Sequence, residues 1–142
     1  MAKPENQFIS SVHRHLPDTR KLHREGMANP YRGGTADCWY SGRGKGSQDL
    51  WIEWKYVPKI PARTTTTVDL LKDYLSPLQA EWCRDRFDEG RNVWVGVGCP
   101  DGGFFLCSPS AWETPISAED FRGLLISRKE LAAQIAAFTC SG

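Results

Sequence analysis

Apolar residues recur at helical spacing near the start of the chain and alternate with polar ones farther along. Phe8, Val12 and Leu16 share one helical face, which predicts a helix over residues 4–16. Two short apolar runs, at residues 35–40 and 50–57, flank a polar loop rich in Gly, Lys and Ser. This pattern predicts two strands that pair as a hairpin.

Capping signals and alternation define the second half of the chain. The segment S-P-L-Q from Ser76 to Gln79 has the capping-box pattern, which predicts a helix that ends near Gly90. Val93, Val95 and Val97 alternate with other residues in a predicted strand, and a helical crossover favours parallel pairing of that strand with 50–57. The other predicted elements are a weak strand at 21–28, a short helix within the long connection 58–76, a strand at 104–107, a loop at 108–115, a helical turn near 117–120 and a helix at 127–138.

Three charged residues fall on the two predicted strands of the hairpin. Glu53 and Lys55 are two residues apart on one strand, so their side chains project from the same face, and pairing brings Asp37 beside them. Two carboxylates and an ammonium are costly to hold in an otherwise apolar sheet. A Mg²⁺ ion would offset that cost, because it takes oxygen ligands from one or two carboxylates plus waters. A Lys55–Glu53 ion pair is the alternative explanation.

The order of these residues resembles a known nuclease pattern. A-D at Ala36 and Asp37, followed by E-W-K at 53–55, is similar to the PD-(D/E)XK signature, with Ala36 where that family usually has proline. The sequence of a helix with Glu5, the A-D strand, the E-x-K strand, a helix with Gln79 and a V-x-V strand resembles the VRR-NUC branch. That branch comprises small phage and repair nucleases related to Holliday-junction resolvases. The resemblance spans residues 4–98 and implies an α/β, restriction-endonuclease-like core with a mixed central sheet flanked by helices.

The resemblance also implies a site. Its metal would be Mg²⁺, with Mn²⁺ as a substitute, and its metal ligands would be Asp37, Glu53, Glu5 and the backbone carbonyl of Trp54. The catalytic set would comprise the same three acids with Lys55 and Gln79. Two of these residues also have structural explanations, since Glu5 suits a helix N-terminus and Gln79 completes a cap. The number of metal ions stays open.

Charge is distributed unevenly along the chain. The net charge is only +1, but residues 20–63 carry nine Lys and Arg against four Asp and Glu, a net charge of +5. A polyanion such as DNA would be attracted to that segment. The candidate phosphate contacts are Arg32, Arg43, Lys45, Lys59 and Arg63, although a solvated basic surface explains them as well.

Length and cysteine content set the broad class. The 142 residues suit one domain spanning residues 1–142. Five cysteines without a C-x-x-C pair indicate reduced thiols. No apolar leader or membrane-length run is present, so we expect a cytoplasmic protein of a bacterial or phage-infected cell, with no membrane partner.

The predicted function is a metal-dependent, structure-selective DNA endonuclease that hydrolyses phosphodiester bonds, similar to Holliday-junction resolvases. Such an enzyme acts on branched DNA and gains from two-fold symmetry, so a homodimer is expected. Helix 127–138 and the connection 58–76 are candidates for its interface. The alternatives are a general, nicking, flap-cutting or exonuclease member of the superfamily, and a non-catalytic DNA-binding module on the same fold.

Overall fold

A computed structural model of the chain describes residues 3–18, 20–27 and 36–140. In chain order the elements are α1 (Pro4–His13), β1 (Leu22–Gly26), β2 (Cys38–Gly42), β3 (Asp49–Tyr56), β4 (Thr67–Val68), α2 (Leu70–Asp73), α3 (Pro77–Asp88), β5 (Val93–Cys99), β6 (Gly102–Leu106), α4 (Pro109–Trp112), β7 (Ile116–Ser117), α5 (Ala118–Leu124) and α6 (Arg128–Cys140).

The central sheet has five strands in the order β1-β2-β3-β5-β6. Strands β1, β2 and β3 are antiparallel neighbours, β3 and β5 run parallel, and β6 returns antiparallel to β5. The predicted hairpin and the predicted parallel crossover through α3 are therefore both confirmed. A separate pair of two-residue strands, β4 and β7, lies outside this sheet.

Each face of the sheet has its own apolar core. One core, the α3 core, combines the inward side chains of β5 and β6 with residues of α2, α3, α4 and α5. The other, the α1/α6 core, combines β1, β2 and the alternate positions of β3 with α1 and α6. Strands β1 and β2 contribute no residue to the α3 core, so helices cover that face of the sheet over only part of its width.

Two glycines of β5 allow large aromatic side chains to lie flat on the sheet. A Cβ at Gly96 would lie 2.6 Å from the ring of Trp54, and one at Gly98 would overlap the ring of Phe8. Phe8 projects from α1 and also packs edge-on against Trp54, with ring centroids 6.0 Å apart. The glycines therefore fix how closely α1, which carries Glu5, approaches the end of β3.

The structure differs from the sequence predictions in several segments, and helix α1, for one, ends at His13 rather than at Leu16. Strand β2 begins at Cys38, so Asp37 precedes the strand rather than lying within 35–40. The connection 58–76 contains the short strand β4 as well as the four-residue helix α2. The segment 108–115 was predicted as a loop, but it contains α4, in which Trp112 is fully buried. Burial of that one large side chain stabilises the ordered conformation of the segment.

Within the described residues, no helix is both long and apolar enough to cross a membrane. Of the five free cysteines, three are buried (Cys38, Cys83 and Cys99), while Cys140 is partly buried and Cys107 is exposed. Burial raises the pKa of Cys83, to about 12, so that thiol stays protonated at neutral pH.

Candidate functional site

The hairpin register brings the two central acids together. Cys38 pairs with Ile52, so Asp37, one residue before Cys38, lies beside Glu53, one residue after Ile52. On β3, Glu53 and Lys55 share the face that α3 covers, while Ile52 and Trp54 belong to the opposite core. The structure therefore brings Asp37, Glu53 and Lys55 to one place, as the sequence spacing predicts.

Glu53 is a buried acid whose oxygens lack hydrogen bonds. Its side chain is 0% exposed, and neither Oε1 nor Oε2 has a partner in good hydrogen-bond geometry, although Asp37 and Lys55 lie close to it. Lys55 Nζ lies 3.2 Å from Oε2, an ion-pair distance without hydrogen-bond geometry. Burial, and then the charge of Asp37, raise the pKa of Glu53 to about 9, although Lys55 opposes that rise. The site therefore holds unused oxygen-ligand capacity in a dry environment.

Asp37 has one oxygen engaged by the backbone. Its Oδ2 accepts the N–H of Trp54 at 2.9 Å. This bond satisfies a backbone donor of β3 at the point where β2 has not yet begun, so Asp37 also terminates the β2–β3 ladder. A ligand role for this carboxylate is compatible with that bond, because a carboxylate offers several acceptor positions.

Lys55 is positioned by the cap of α3. Its Nζ donates a hydrogen bond to Gln79 Oε1 at 2.9 Å. The same Oε1 accepts the backbone N–H of Ser76, and Ser76 Oγ accepts the N–H of Gln79, which completes the predicted capping box. Gln79 is therefore a helix cap and a partner of Lys55 at once.

Glu5 stands at the rim of the site between two cavities. A cavity of about 400 Å³ is lined by both Glu5 and Asp37, and another of about 400 Å³ is lined by both Glu5 and Lys55. Burial, and then the charge of Asp37, raise the pKa of Glu5 above its usual value. Among the described residues, no three His, Cys, Asp or Glu side chains are close enough to hold one ion together. The predicted role of Glu5 as a third carboxylate ligand stays a prediction.

A polar chain that sequence reasoning missed runs behind the site. Tyr40 is fully buried, and its hydroxyl accepts the indole N–H of Trp54 at 3.0 Å while lying 2.6 Å from His13 Nε2. Burial, and then the charge of Arg24, lower the pKa of His13 to about 4, so His13 is neutral at pH 7 and shares a hydrogen bond with the Tyr40 hydroxyl. The helical face of Phe8 and Val12 signalled that α1 packs on the sheet, but no pattern paired His13 with Tyr40.

The candidate phosphate contacts do not surround the acids. Lys59 and Arg63 are exposed residues that follow β3, at the end of the hairpin where Glu53 lies. Arg43 and Lys45 are exposed in the β2–β3 loop, about 20 Å along the strand from Asp37. This pair lies away from the acids because the loop joins the far ends of the strands, and its contact with phosphates stays a prediction. Arg32 lies outside the described residues.

The residues present fit a hard divalent cation. Mg²⁺ usually binds one or two carboxylates and keeps several waters, and Asp37 and Glu53 offer that set. The orphaned oxygens of Glu53 are costly without such a partner, because a buried acceptor normally has a hydrogen bond. The carbonyl of Trp54 stays a predicted ligand.

Comparison with known proteins identifies the fold. No family model and no curated protein sequence matches this chain. Among solved structures, the chain is similar to Hjc, a Holliday junction resolvase from the archaeal hyperthermophile Archaeoglobus fulgidus, with a TM-score of 0.50 and 18% sequence identity. The similarity covers 90% of this chain and 99% of that one. At this identity the likeness concerns the fold alone, and it confirms the predicted α/β, restriction-endonuclease-like core with a mixed sheet flanked by helices.

Proposed function

We propose that this chain is a metal-dependent, structure-selective DNA endonuclease that hydrolyses phosphodiester bonds in branched DNA, in the manner of a Holliday-junction resolvase. The carrying observation is the buried Glu53, whose oxygens have no hydrogen bond, beside Asp37 and Lys55. The fold shared with a Holliday junction resolvase supports the same conclusion. A binding module alone has no need for carboxylates that would repel phosphates.

Asp37 and Glu53 would hold the Mg²⁺ ion, or Mn²⁺ in its place. When bound, the ion supplies a more acidic water and neutralises charge on the scissile phosphate. Glu53 must give up its proton to act as a ligand, because its pKa of about 9 leaves it protonated at neutral pH. Lys55, which lies 3.2 Å from Glu53 Oε2, helps to stabilise the ionised carboxylate.

Lys55 has the placement of a phosphate-stabilising cation. Its side chain is 13% exposed, so it is largely withdrawn from solvent yet lines the cavity it shares with Glu5. Charge that develops on phosphate oxygens is stabilised best by a preorganised donor in a dry site. The hydrogen bond to Gln79 supplies that preorganisation. Glu5 lines the same cavity and would contact water beside the ion.

The test compares a four-way junction with a linear duplex of equal length and sequence, in Mg²⁺ at matched salt. Preferential cutting of the junction supports the proposal, and equal cutting of both would reduce it to a general nuclease. Asp37→Ala and Glu53→Ala should each abolish cleavage while the protein stays folded. Wild-type cleavage by either variant would refute the assignment of Asp37 and Glu53 as metal ligands. No cleavage by the wild-type protein with Mg²⁺ or Mn²⁺ would refute the proposed nuclease activity.

A Lys55→Ala variant separates the lysine from the ligands. It should lose cleavage yet keep its affinity for the divalent cation, because an ammonium is not a ligand. Lys55→Arg should restore only part of the rate, since the planar guanidinium cannot occupy the same position between Glu53 and Gln79. Loss of metal affinity in Lys55→Ala as large as that in Asp37→Ala would contradict this assignment.

A homodimer is part of the proposal. Resolution of a four-way junction needs two cuts, and two linked sites engage one junction with raised effective affinity. Light scattering of the protein with and without junction DNA tests this point. A complex that contains one protein monomer and still makes paired cuts would contradict the proposed homodimer.

A further inference from the structure

Trp39 is a large apolar side chain that belongs to neither core. It lies on β2 and is only half-buried, and it packs against neither the α3 core nor the α1/α6 core. Among the described residues, its ring contacts are His23, stacked at 6.2 Å, and Trp51, at 6.4 Å. A half-buried tryptophan presents a large ring with a polar N–H, and such side chains are enriched at interfaces, which makes Trp39 a candidate for binding.

Trp39 forms the middle of a row of rings. Trp51 on β3 pairs with Trp39 across the hairpin and contacts Trp82 of α3 at 5.5 Å. Trp51 and Trp82 pack against the edge of the α3 core, whereas His23 and Trp39 lie beyond it, because no β1 or β2 residue enters that core. We call this row the aromatic stripe, and its members are His23, Trp39, Trp51 and Trp82.

The aromatic stripe continues directly from the acids. Trp51 and Glu53 are two residues apart on β3, so they point to the same face about 7 Å apart, and the hairpin register places Asp37 beside Glu53. A strand of nucleic acid held at the acids can therefore extend across the stripe without leaving this face. The two-residue spacing of Trp51 and Glu53 in the sequence predicts this shared face.

The charges beside the stripe favour bases over phosphates. Arg86 lies over the ring of Trp82 at 5.8 Å, and Arg43 is hydrogen-bonded to His23 at 3.0 Å, so each end carries a cation. The same face also carries two acids, Glu25 opposite Trp39 and Asp49 bonded to Ser41. Those acids oppose a continuous phosphate track, whereas every nucleobase has a face that stacks on an aromatic ring.

We propose that the aromatic stripe stacks the unpaired nucleobases of a single-stranded DNA segment next to the cleavage site. The inference rests on the proposed function, which it deepens by naming the substrate feature: bases unstacked at a branch or in a flanking single strand. Trp39 is the central contact, with Trp51 and Trp82 extending the platform. The flanking Arg side chains hold the strand at either end.

The first experiment measures binding without cleavage. Oligothymidylate of about 12 nucleotides, a length that single-strand-binding surfaces cover, is titrated by fluorescence anisotropy in EDTA. An abasic oligomer of equal length has the same phosphates without bases. Wild-type protein should prefer oligothymidylate, and Trp39→Ala should weaken that complex by roughly ten- to a hundredfold while leaving abasic binding unchanged.

Two further variants at this position separate stacking from apolar contact. Trp39→Phe keeps a ring and should retain most of the affinity, whereas Trp39→Leu keeps only apolar volume and should behave as Trp39→Ala does. Leu124→Ala is the matched control, since it removes a 46% exposed side chain from α5, away from the stripe. Thermal melting of every variant confirms folding.

The outcomes are distinct. Base stacking would be overturned if Trp39→Ala weakened binding to the abasic oligomer as much as binding to oligothymidylate. It would also be overturned if Trp39→Leu kept the full wild-type affinity for oligothymidylate. A shift from dimer to monomer in Trp39→Ala, with unchanged oligothymidylate affinity, would instead make the stripe a contact between copies of this chain. Base-dependent binding by a protein that cuts no DNA would retain the stripe while refuting the nuclease.

Discussion

The ammonium of Lys55 donates a hydrogen bond to Oε1 of Gln79, and that oxygen also accepts the backbone N–H that begins the cap of α3. One side-chain atom therefore links a helix terminus to the charged pair on β3. Any change that moves the first turn of α3 will also move Lys55 relative to Glu53. The cap and the site act as one structural unit.

Replacement of Gln79 should separate these two roles. Gln79→Ala removes the partner of Lys55, and we expect cleavage to fall about 10- to 100-fold, as for other residues that orient a catalytic group. Ser76→Ala is the matched control, because it loses the cap hydrogen bond at a cost of about 1 kcal/mol but leaves Oε1 of Gln79 in place. Both variants are assayed for junction cutting and for melting temperature. Equal rate losses in the two would reduce Gln79 to a cap.

The sequence predicts this region well because its signals are local. The S-P-L-Q segment specifies its own cap, and the two-residue spacing of Glu53 and Lys55 specifies a common face. The contact between Lys55 and Gln79 joins residues 24 apart in the chain, so it depends on where the crossover sets α3 on the sheet. No periodicity encodes that distance.

Other parts of the fold leave weaker traces in the sequence. Strands β4 and β7 have two residues each, too few to show alternation, and they exist because each supplies the other's hydrogen bonds. The link between His13 and Tyr40 joins a helix to a strand across the α1/α6 core. Residues 28–35 lie outside the described residues. They include Arg32 and one end of each of the strands predicted at 21–28 and 35–40, and the role of Arg32 stays a prediction.

The raised pKa of Glu53 makes stability depend on pH. The unfolded chain releases this proton near pH 4.5 and the folded chain near pH 9, so the folded state binds more protons in between. The free energy of unfolding should therefore fall as pH rises from about 5 to about 9, by at most about 1.4 kcal/mol per pH unit.

Glu53→Gln should remove this pH dependence in metal-free protein. The amide has no proton to lose, so the variant should become increasingly more stable than wild type as pH rises through that window. Urea unfolding in EDTA at several pH values measures the difference. Glu81→Gln, which changes an exposed acid of α3, should leave the slope as it is. A wild-type slope in Glu53→Gln would show that another group is responsible.

Protonation of His13 should make the free energy of unfolding fall as pH decreases, which is the opposite trend to that from Glu53. Its folded pKa of about 4 lies below the ordinary 6.5 because burial and the charge of Arg24 disfavour the imidazolium. The unfolded chain therefore binds the proton first, and stability should fall as pH drops from about 6.5 to about 4. His13→Gln keeps a hydrogen-bonding partner for the Tyr40 hydroxyl but cannot titrate, so it should flatten this limb. An unchanged acid limb would exclude His13 as its source.

The contribution of the exposed basic residues to DNA binding should depend on the length of the DNA arm. Lys59 and Arg63 follow β3 at the end that carries Glu53, whereas Arg43 and Lys45 lie in the loop about 20 Å away. That distance corresponds to about six base pairs of duplex. A DNA arm shorter than this, seated at the acids and running towards the β2–β3 loop, does not reach Arg43 and Lys45.

We therefore expect Lys59→Ala and Arg63→Ala to weaken binding to junctions with short and long arms alike. Arg43→Ala and Lys45→Ala should weaken binding only when the arms exceed about six base pairs. Each lost phosphate contact should reduce the salt-dependence slope by about 0.9, and the losses should be the same for unrelated sequences, because phosphate contacts carry no sequence information. Equilibrium binding of catalytically inactive Asp37→Ala carrying each change, across a salt series, gives both quantities. Equal losses for the two pairs on the shortest arms would mean that the DNA does not run from the acids towards the β2–β3 loop.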